Sequence, residues 1–109
     1  MTTAVETDIL SKDTSELTSE VERQRYAEIS RALADPKRLC VLEILSSGEH
    51  SVGDLSREAS CHVPNMSQHL AVLRSAGLVT SRRDGSTVFY RLTDPRILEV
   101  YRLIQSVAR

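Results

Sequence analysis

Apolar side chains recur every three or four positions from about residue 21 onward, which predicts a series of amphipathic helices. The first helix ends before Asp35-Pro36, because the residue ahead of a proline is pushed out of the α region. Asp35 then caps a second helix with Pro36 at its first position, and Ser46-Ser47-Gly48 ends it. Ser51 is a typical N-cap for a third, short helix.

A fourth helix is predicted over about residues 63–76, with Gly77 following it where helices often end. Met66, Leu70 and Leu73 repeat at spacings of four and three, which indicates the buried side of this helix.

The period changes to two in residues 78–82 and 87–92, whose β-branched and aromatic residues predict two strands. Asp84-Gly85 between them favours a hairpin turn, and Asp94-Pro95 begins a last helix. The order α-α-α-α-β-β-α predicts an α+β fold that is mostly α. Two short helices joined by a tight turn and followed by a basic hairpin indicate a winged helix-turn-helix.

The formal net charge of the 109-residue chain is −1, which by itself argues against a nucleic acid partner. The charge is uneven, however. Residues 1–20 carry five acidic side chains against Lys12 alone, so we expect a disordered acidic tail there and a folded domain over residues 21–109. That domain has a net charge of +3, which leaves a basic surface available for phosphates.

Several protein classes are excluded by composition. No apolar run approaches the roughly 20 residues that cross a bilayer, and two cysteines are too few for a disulfide scaffold. We therefore expect a cytoplasmic protein without a membrane partner. The sequence contains no nucleophile–base pair, phosphate loop or metal motif, so we expect neither an enzyme nor a bound cofactor.

The second helix of a helix-turn-helix pair places its N-terminal residues in the DNA major groove, where amide, hydroxyl and imidazole groups can bond to bases or phosphates. Arginines at the hairpin tip suit phosphates or a narrow minor groove. The competing interpretations are solvated polar residues on a small domain, or a protein-binding adaptor with no DNA partner. The predicted DNA-binding residues are His62, Asn65, Ser67, Gln68, His69, Arg82, Arg83 and Ser86.

Five segments occur in the order typical of one family of bacterial repressors: LADPKRL at 33–39, SVGDL at 51–55, MSQHL at 66–70, LRSAGLV at 73–79 and GSTVFY at 85–90. Over about residues 26–105 the chain resembles the ArsR/SmtB family. The resemblance implies a homodimer that binds double-stranded operator DNA with an inverted repeat and releases it when an inducer binds. It also implies dimerisation through the first and last helices, here through Tyr26, Ile29, Leu33, Ile97, Val100, Tyr101 and Ile104.

The metal-binding positions of many family members hold other residues here. Ser51 and Gly53 match the Cys-x-Cys of the third helix, and Arg96 and Val107 match two histidines of a site on the last helix. Neither of the family's metal sites is therefore expected.

Cys40 and Cys61 are the only two cysteines. A persulfide- or redox-sensing branch of the family uses a different pair of positions, and in this chain those positions hold Glu43 and Arg109. The connection between the second and third helices centres near residue 49, which places both cysteines at the same end of that helix pair. We predict that an oxidant such as hydrogen peroxide joins them in a disulfide and displaces the turn ahead of the fourth helix.

The chain also looks like a cyanobacterial redox-sensing repressor within this family, which supports that prediction. Two alternatives remain open. The cysteines can be small core hydrophobes, or they can hold zinc or arsenite together with His62.

Overall fold

The computed structural model describes residues 17–109, so the predicted disorder of residues 1–16 lies outside the described part of the chain. Five helices and three strands follow in the order α1 Glu20–Leu33, α2 Pro36–Leu45, β1 His50–Ser51, α3 Val52–Glu58, α4 Val63–Ser75, β2 Val79–Asp84, β3 Thr87–Leu92 and α5 Arg96–Ala108. The predicted mostly helical α+β fold is confirmed, with one additional strand.

The first helix begins at Glu20, one residue before the predicted start at about residue 21. Ser19 and Glu22 form a capping box, in which Ser19 Oγ accepts from the Glu22 N–H and the Ser19 N–H donates to the Glu22 carboxylate. These bonds satisfy two N–H groups at the helix end, so Glu20 belongs to α1 rather than to the tail.

The second helix begins as predicted. The Asp35 side chain accepts a hydrogen bond of 3.0 Å from the Arg38 N–H, with Pro36 at the first helical position. This bond, more than any other interaction, lowers the pKa of Asp35, because the N–H stabilises the ionised carboxylate.

The sheet is antiparallel with strand order β1-β3-β2. The two-residue β1 pairs His50 with Tyr90, and it is too short to leave an alternating pattern in the sequence. The hairpin turn differs by one position from the predicted Asp84-Gly85. Asp84 pairs with Thr87, so the central residues are Gly85 and Ser86, and Gly85 has the positive φ of +64° that this turn requires.

The core lies where α2, α3 and α4 meet the base of the hairpin. Met66, Leu70 and Leu73 are fully buried, as their spacing predicts. The remaining buried residues are Ala32, Val41, Leu42, Leu45, Leu55, Ala59, Ala76, Leu78 and Val79. Among residues 17–109, no helix has the length and apolar character that crossing a membrane requires.

Truncation of Leu70 to alanine should lower the free energy of unfolding by about 2–5 kcal/mol, because it leaves a cavity among fully buried side chains. Urea denaturation at fixed protein concentration measures this change. Val72→Ala on the same helix is the matched control, since Val72 is 41% exposed and its truncation should stay within about 0.5 kcal/mol. Equal destabilisation in both variants would contradict the assigned buried side of α4.

Candidate nucleic-acid interface

Four of the five residues predicted to contact DNA from the helix-turn-helix are exposed around the first two turns of α4. Asn65, Ser67 and Gln68 lie on the helix away from its buried stripe, and His62 is the N-cap. The His62 side chain makes no capping hydrogen bond. The start of α4 therefore presents amide, hydroxyl and imidazole groups to solvent, which is the chemistry that reads base edges and phosphates.

His69 differs from those four residues. It is half-buried, and its Nδ1 lies 3.5 Å from Arg38 Nη1 and 3.8 Å from Asp35 Oδ2. This nitrogen faces the start of α2, so the geometry favours a contact within the protomer over the predicted contact with DNA.

The two arginines predicted to act together at the hairpin tip lie on opposite faces of the hairpin, because neighbouring strand residues alternate in direction. Arg82 forms a bidentate pair with Glu49, with N–O distances of 2.7–3.0 Å, and stacks over Phe89 at 4.7 Å from the ring centroid. Hydrogen bonding from Arg82 lowers the pKa of Glu49, and the same bonds raise the pKa of Arg82. Arg82 thus connects the wing, which is the hairpin of β2 and β3, to the loop ahead of β1.

Arg83 is exposed on the other face of the hairpin, which it shares with Tyr90 on β3. Ser86 is exposed in the turn itself. Of the three predicted wing residues, Arg82 is thus paired within the protomer, whereas Arg83 and Ser86 are exposed.

A groove separates the recognition helix α4 from the wing, and it contains two residues that the sequence did not assign to DNA. It is lined by Ser67, Ala71, Arg74, Ser75 and Tyr90. Arg74 and Tyr90 are absent from the set of residues that the sequence pattern predicts to contact DNA. Because side chains along β3 alternate between the two faces of the hairpin, the sequence could have indicated that Tyr90 lies on the same face as Arg83. A guanidinium and two kinds of hydroxyl in one groove can hold a phosphate oxygen.

The turn between α3 and α4 is held by a compact set of hydrogen bonds. Ser60 has a φ of +52°, in the left-handed region that favours glycine, and the Cys61 N–H donates to the Ser56 carbonyl at 2.9 Å. The Ser56 hydroxyl in turn donates to the Cys61 carbonyl. Cys61 is thus fixed to α3, one residue before His62, the N-cap of the recognition helix α4.

Both cysteines are free, partly buried and packed against the core, which agrees with the interpretation of both as small hydrophobes. Cys40 lies on the side of α2 that faces α5. There the Tyr101 hydroxyl donates to Glu43 Oε1 at 3.2 Å, and burial and then the Glu43 charge raise the pKa of Tyr101.

Within the described part of the chain, Cys40, Cys61 and His62 are not assembled into a metal site of the kind that the zinc or arsenite alternative expects. Residues 17–109 contain no group of three His, Cys, Asp or Glu side chains placed to hold a metal ion.

The residues predicted for dimerisation fall into two groups. Tyr26, Val100 and Ile104 are exposed, whereas Ile29, Leu33 and Ile97 pack partly against the protomer's own core. Tyr101 bonds to Glu43 within the protomer. The sequence pattern missed Leu103 and Val107, which are 66% and 85% exposed and join Val100, Ile104 and Ala108 in an almost entirely apolar surface on α5.

These features define a winged helix-turn-helix domain. The model of the family described as bacterial regulatory protein, arsR family, matches residues 35–81. The biofilm growth-associated repressor of Agrobacterium fabrum is 33% identical over 98 residues, which cover 87% of this chain and 84% of the repressor. The chain therefore belongs to the arsR family and is a DNA-binding transcriptional regulator.

Two further proteins are similar. The HTH-type transcriptional regulator KmtR of Mycobacterium tuberculosis is 45% identical over 73 residues, which are 67% of this chain and only 56% of KmtR. The solution structure of the homodimeric winged helix-turn-helix DNA-binding domain of Mb0332 from Mycobacterium bovis, a possible ArsR-family regulator, is 29% identical. It superimposes with a TM-score of 0.75 over 85% of this chain and 89% of that domain.

Replacement of Arg74 by glutamine should weaken DNA binding and make its dependence on salt shallower, because one phosphate per protomer is no longer neutralised. The slope of log K against log salt should become less negative by roughly 1 for each such phosphate. Arg96→Gln is the control, since Arg96 is paired with Asp94 at the start of α5. An unchanged slope in the Arg74 variant would show that Arg74 only faces solvent.

Proposed function

We propose that this chain acts as a homodimeric repressor that binds an inverted-repeat operator and releases it when Cys40 and Cys61 are oxidised. The observation that carries the DNA-binding part is the exposed polar start of α4 beside a wing that carries Arg83. Each protomer reads one half-site with α4 in the major groove, and Arg83 and Ser86 bond to the flanking backbone.

The apolar surface on α5 supports the homodimer. Val100, Leu103, Ile104 and Val107 lie along one side of the helix at spacings of three and four, and all four are exposed in the protomer. A contiguous apolar surface of this kind is typical of a protein interface, and a two-fold dimer covers it with the same surface of a second copy. The Mycobacterium bovis domain to which this chain is similar is homodimeric.

Leu103→Glu should convert the dimer into a monomer, because two carboxylates would be buried at the two-fold interface. Sedimentation velocity at micromolar concentration measures the change. Gln105→Glu, an exposed change on α5 outside this apolar surface, should remain dimeric. A dimer in both variants would mean that another surface joins the protomers.

The oxidation step consumes one hydrogen peroxide and two thiols. One thiol is oxidised to a sulfenic acid with release of water, and the second thiol attacks that sulfur, releasing another water and forming the disulfide. Peroxide is thereby reduced by two electrons, and no further oxidant is needed.

The contacts around the two cysteines support a link from this chemistry to DNA release. Lys37, one turn before Cys40 on α2, donates to the Ala59 carbonyl and so holds α2 beside the turn that contains Cys61. That turn passes directly into the recognition helix, with Ser60 and Cys61 fixed by local hydrogen bonds. A bond from Cys61 to α2 would pull on this turn and misplace the start of α4.

Peroxide should lower the affinity of the wild-type dimer for its operator by roughly 5- to 150-fold, the usual range for coupled sites. Cys40→Ser and Cys61→Ser should bind DNA like the reduced wild type and should not respond to peroxide. Gel shifts read out affinity, and thiol counting should show that both thiols of each chain are consumed. The redox part of the proposal fails if both thiols remain free after treatment, or if Cys61→Ser still releases DNA.

A protein-binding adaptor with the same fold is the alternative from another functional class. Binding of the reduced protein to an inverted-repeat duplex from its own upstream region, with a steep fall in affinity as salt rises, supports the DNA-binding role. Failure to bind that duplex at low salt would favour the adaptor.

A further inference from the structure

An arginine from the first helix caps the end of the recognition helix. Arg25 on α1 donates from Nη2 to the carbonyl of Ala76, the C-cap of α4, at 2.9 Å. Carbonyl groups at a helix C-terminus lack partners within the helix and carry partial negative charge, so a guanidinium is a favourable partner.

The backbone next to this contact leaves room for the guanidinium. Gly77 has a φ of +80°, and a Cβ added to it would lie 3.0 Å from Arg25 Nη2. Glycine at this position therefore allows both the left-handed backbone at the end of α4 and the close approach of the Arg25 guanidinium.

A second arginine links α1 and α4 at another point. Arg38 donates to the carbonyls of Ala32 at 2.7 Å and Arg31 at 3.0 Å, near the end of α1, and its remaining Nη1 lies 3.5 Å from His69 on α4. The recognition helix is thus connected to the α1 end through Arg38 and to the middle of α1 through Arg25.

The geometry points to Arg25 as a positioning residue that fixes the angle between α1 and α4, and through it the half-site spacing at which the dimer binds DNA. This inference rests on the proposed function, and on the predicted contribution of α1, where Tyr26 is exposed, to the dimer that relates the two recognition helices. The fixed fork of donors on arginine holds a carbonyl in one orientation, which a lysine ammonium does less well. Without Arg25, each α4 would reach its half-site over a wider range of orientations.

The test compares wild type, Arg25→Gln, Arg25→Lys and Arg23→Gln, all reduced. Arg23 lies on the same helix and bonds locally, to Glu20 at 3.2 Å, so its variant controls for the removal of a charge from α1. Affinity is measured on inverted repeats whose half-site spacing is changed by one or two base pairs, and on a duplex without the repeat. Thermal unfolding and sedimentation establish that each variant is a folded dimer.

Wild type and Arg23→Gln should show a sharp optimum of spacing. Arg25→Gln should bind at least about fivefold more weakly than wild type at that optimum, while its affinity for other spacings and for non-specific DNA should change little. The affinity of Arg25→Lys at the optimum should lie between those of wild type and Arg25→Gln. Equal weakening at every spacing, or none, would overturn the inference while leaving DNA binding intact. Absence of any spacing preference in the wild type would overturn the proposed dimeric function itself, and this inference with it.

Discussion

Burial of Met66, Leu70 and Leu73 on one side of α4 determines how the recognition helix is presented to DNA. Each side chain is fully buried, and full burial of such a residue is worth about 1.5–3 kcal/mol. Because the α-helix has 3.6 residues per turn, fixing this side also fixes which residues face outward. Asn65, Ser67 and Gln68 are exposed for that reason, and not because polar residues seek solvent individually.

Hydrogen bonds from cationic side chains to helix C-termini set how the short helices are oriented around this core. Lys37 bonds to the end of α3, Arg38 to the end of α1, and Arg25 to the end of α4. Each bond satisfies a carbonyl that has no partner inside its own helix, and each joins two elements. The recognition helix is consequently coupled to the elements that are proposed to form the dimer and to sense oxidant. The residues of α4 that are proposed to contact DNA lie at its start, away from the bond at its C-terminal end.

Local chemistry makes most of the fold predictable, whereas contacts between distant residues decide the site. Asp35 ahead of a proline indicates the start of its helix without any tertiary information, and Ser19 carries an equally local capping signature that the apolar periodicity does not reveal. The pairing of Arg82 with Glu49, 33 positions away, has no local signal, and it gives a residue predicted to contact DNA a partner within the protomer. His69 likewise lies beside side chains at the start of α2 that only the packing brings near.

Amide hydrogen exchange of the reduced dimer, with and without an inverted-repeat duplex at low ionic strength, tests whether α4 is the element that reads DNA. We expect slower exchange on DNA binding in the first two turns of α4 and at the wing tip, over about residues 63–69 and 83–88, with little change in α5. Slowing confined to other elements while DNA is bound would contradict that assignment.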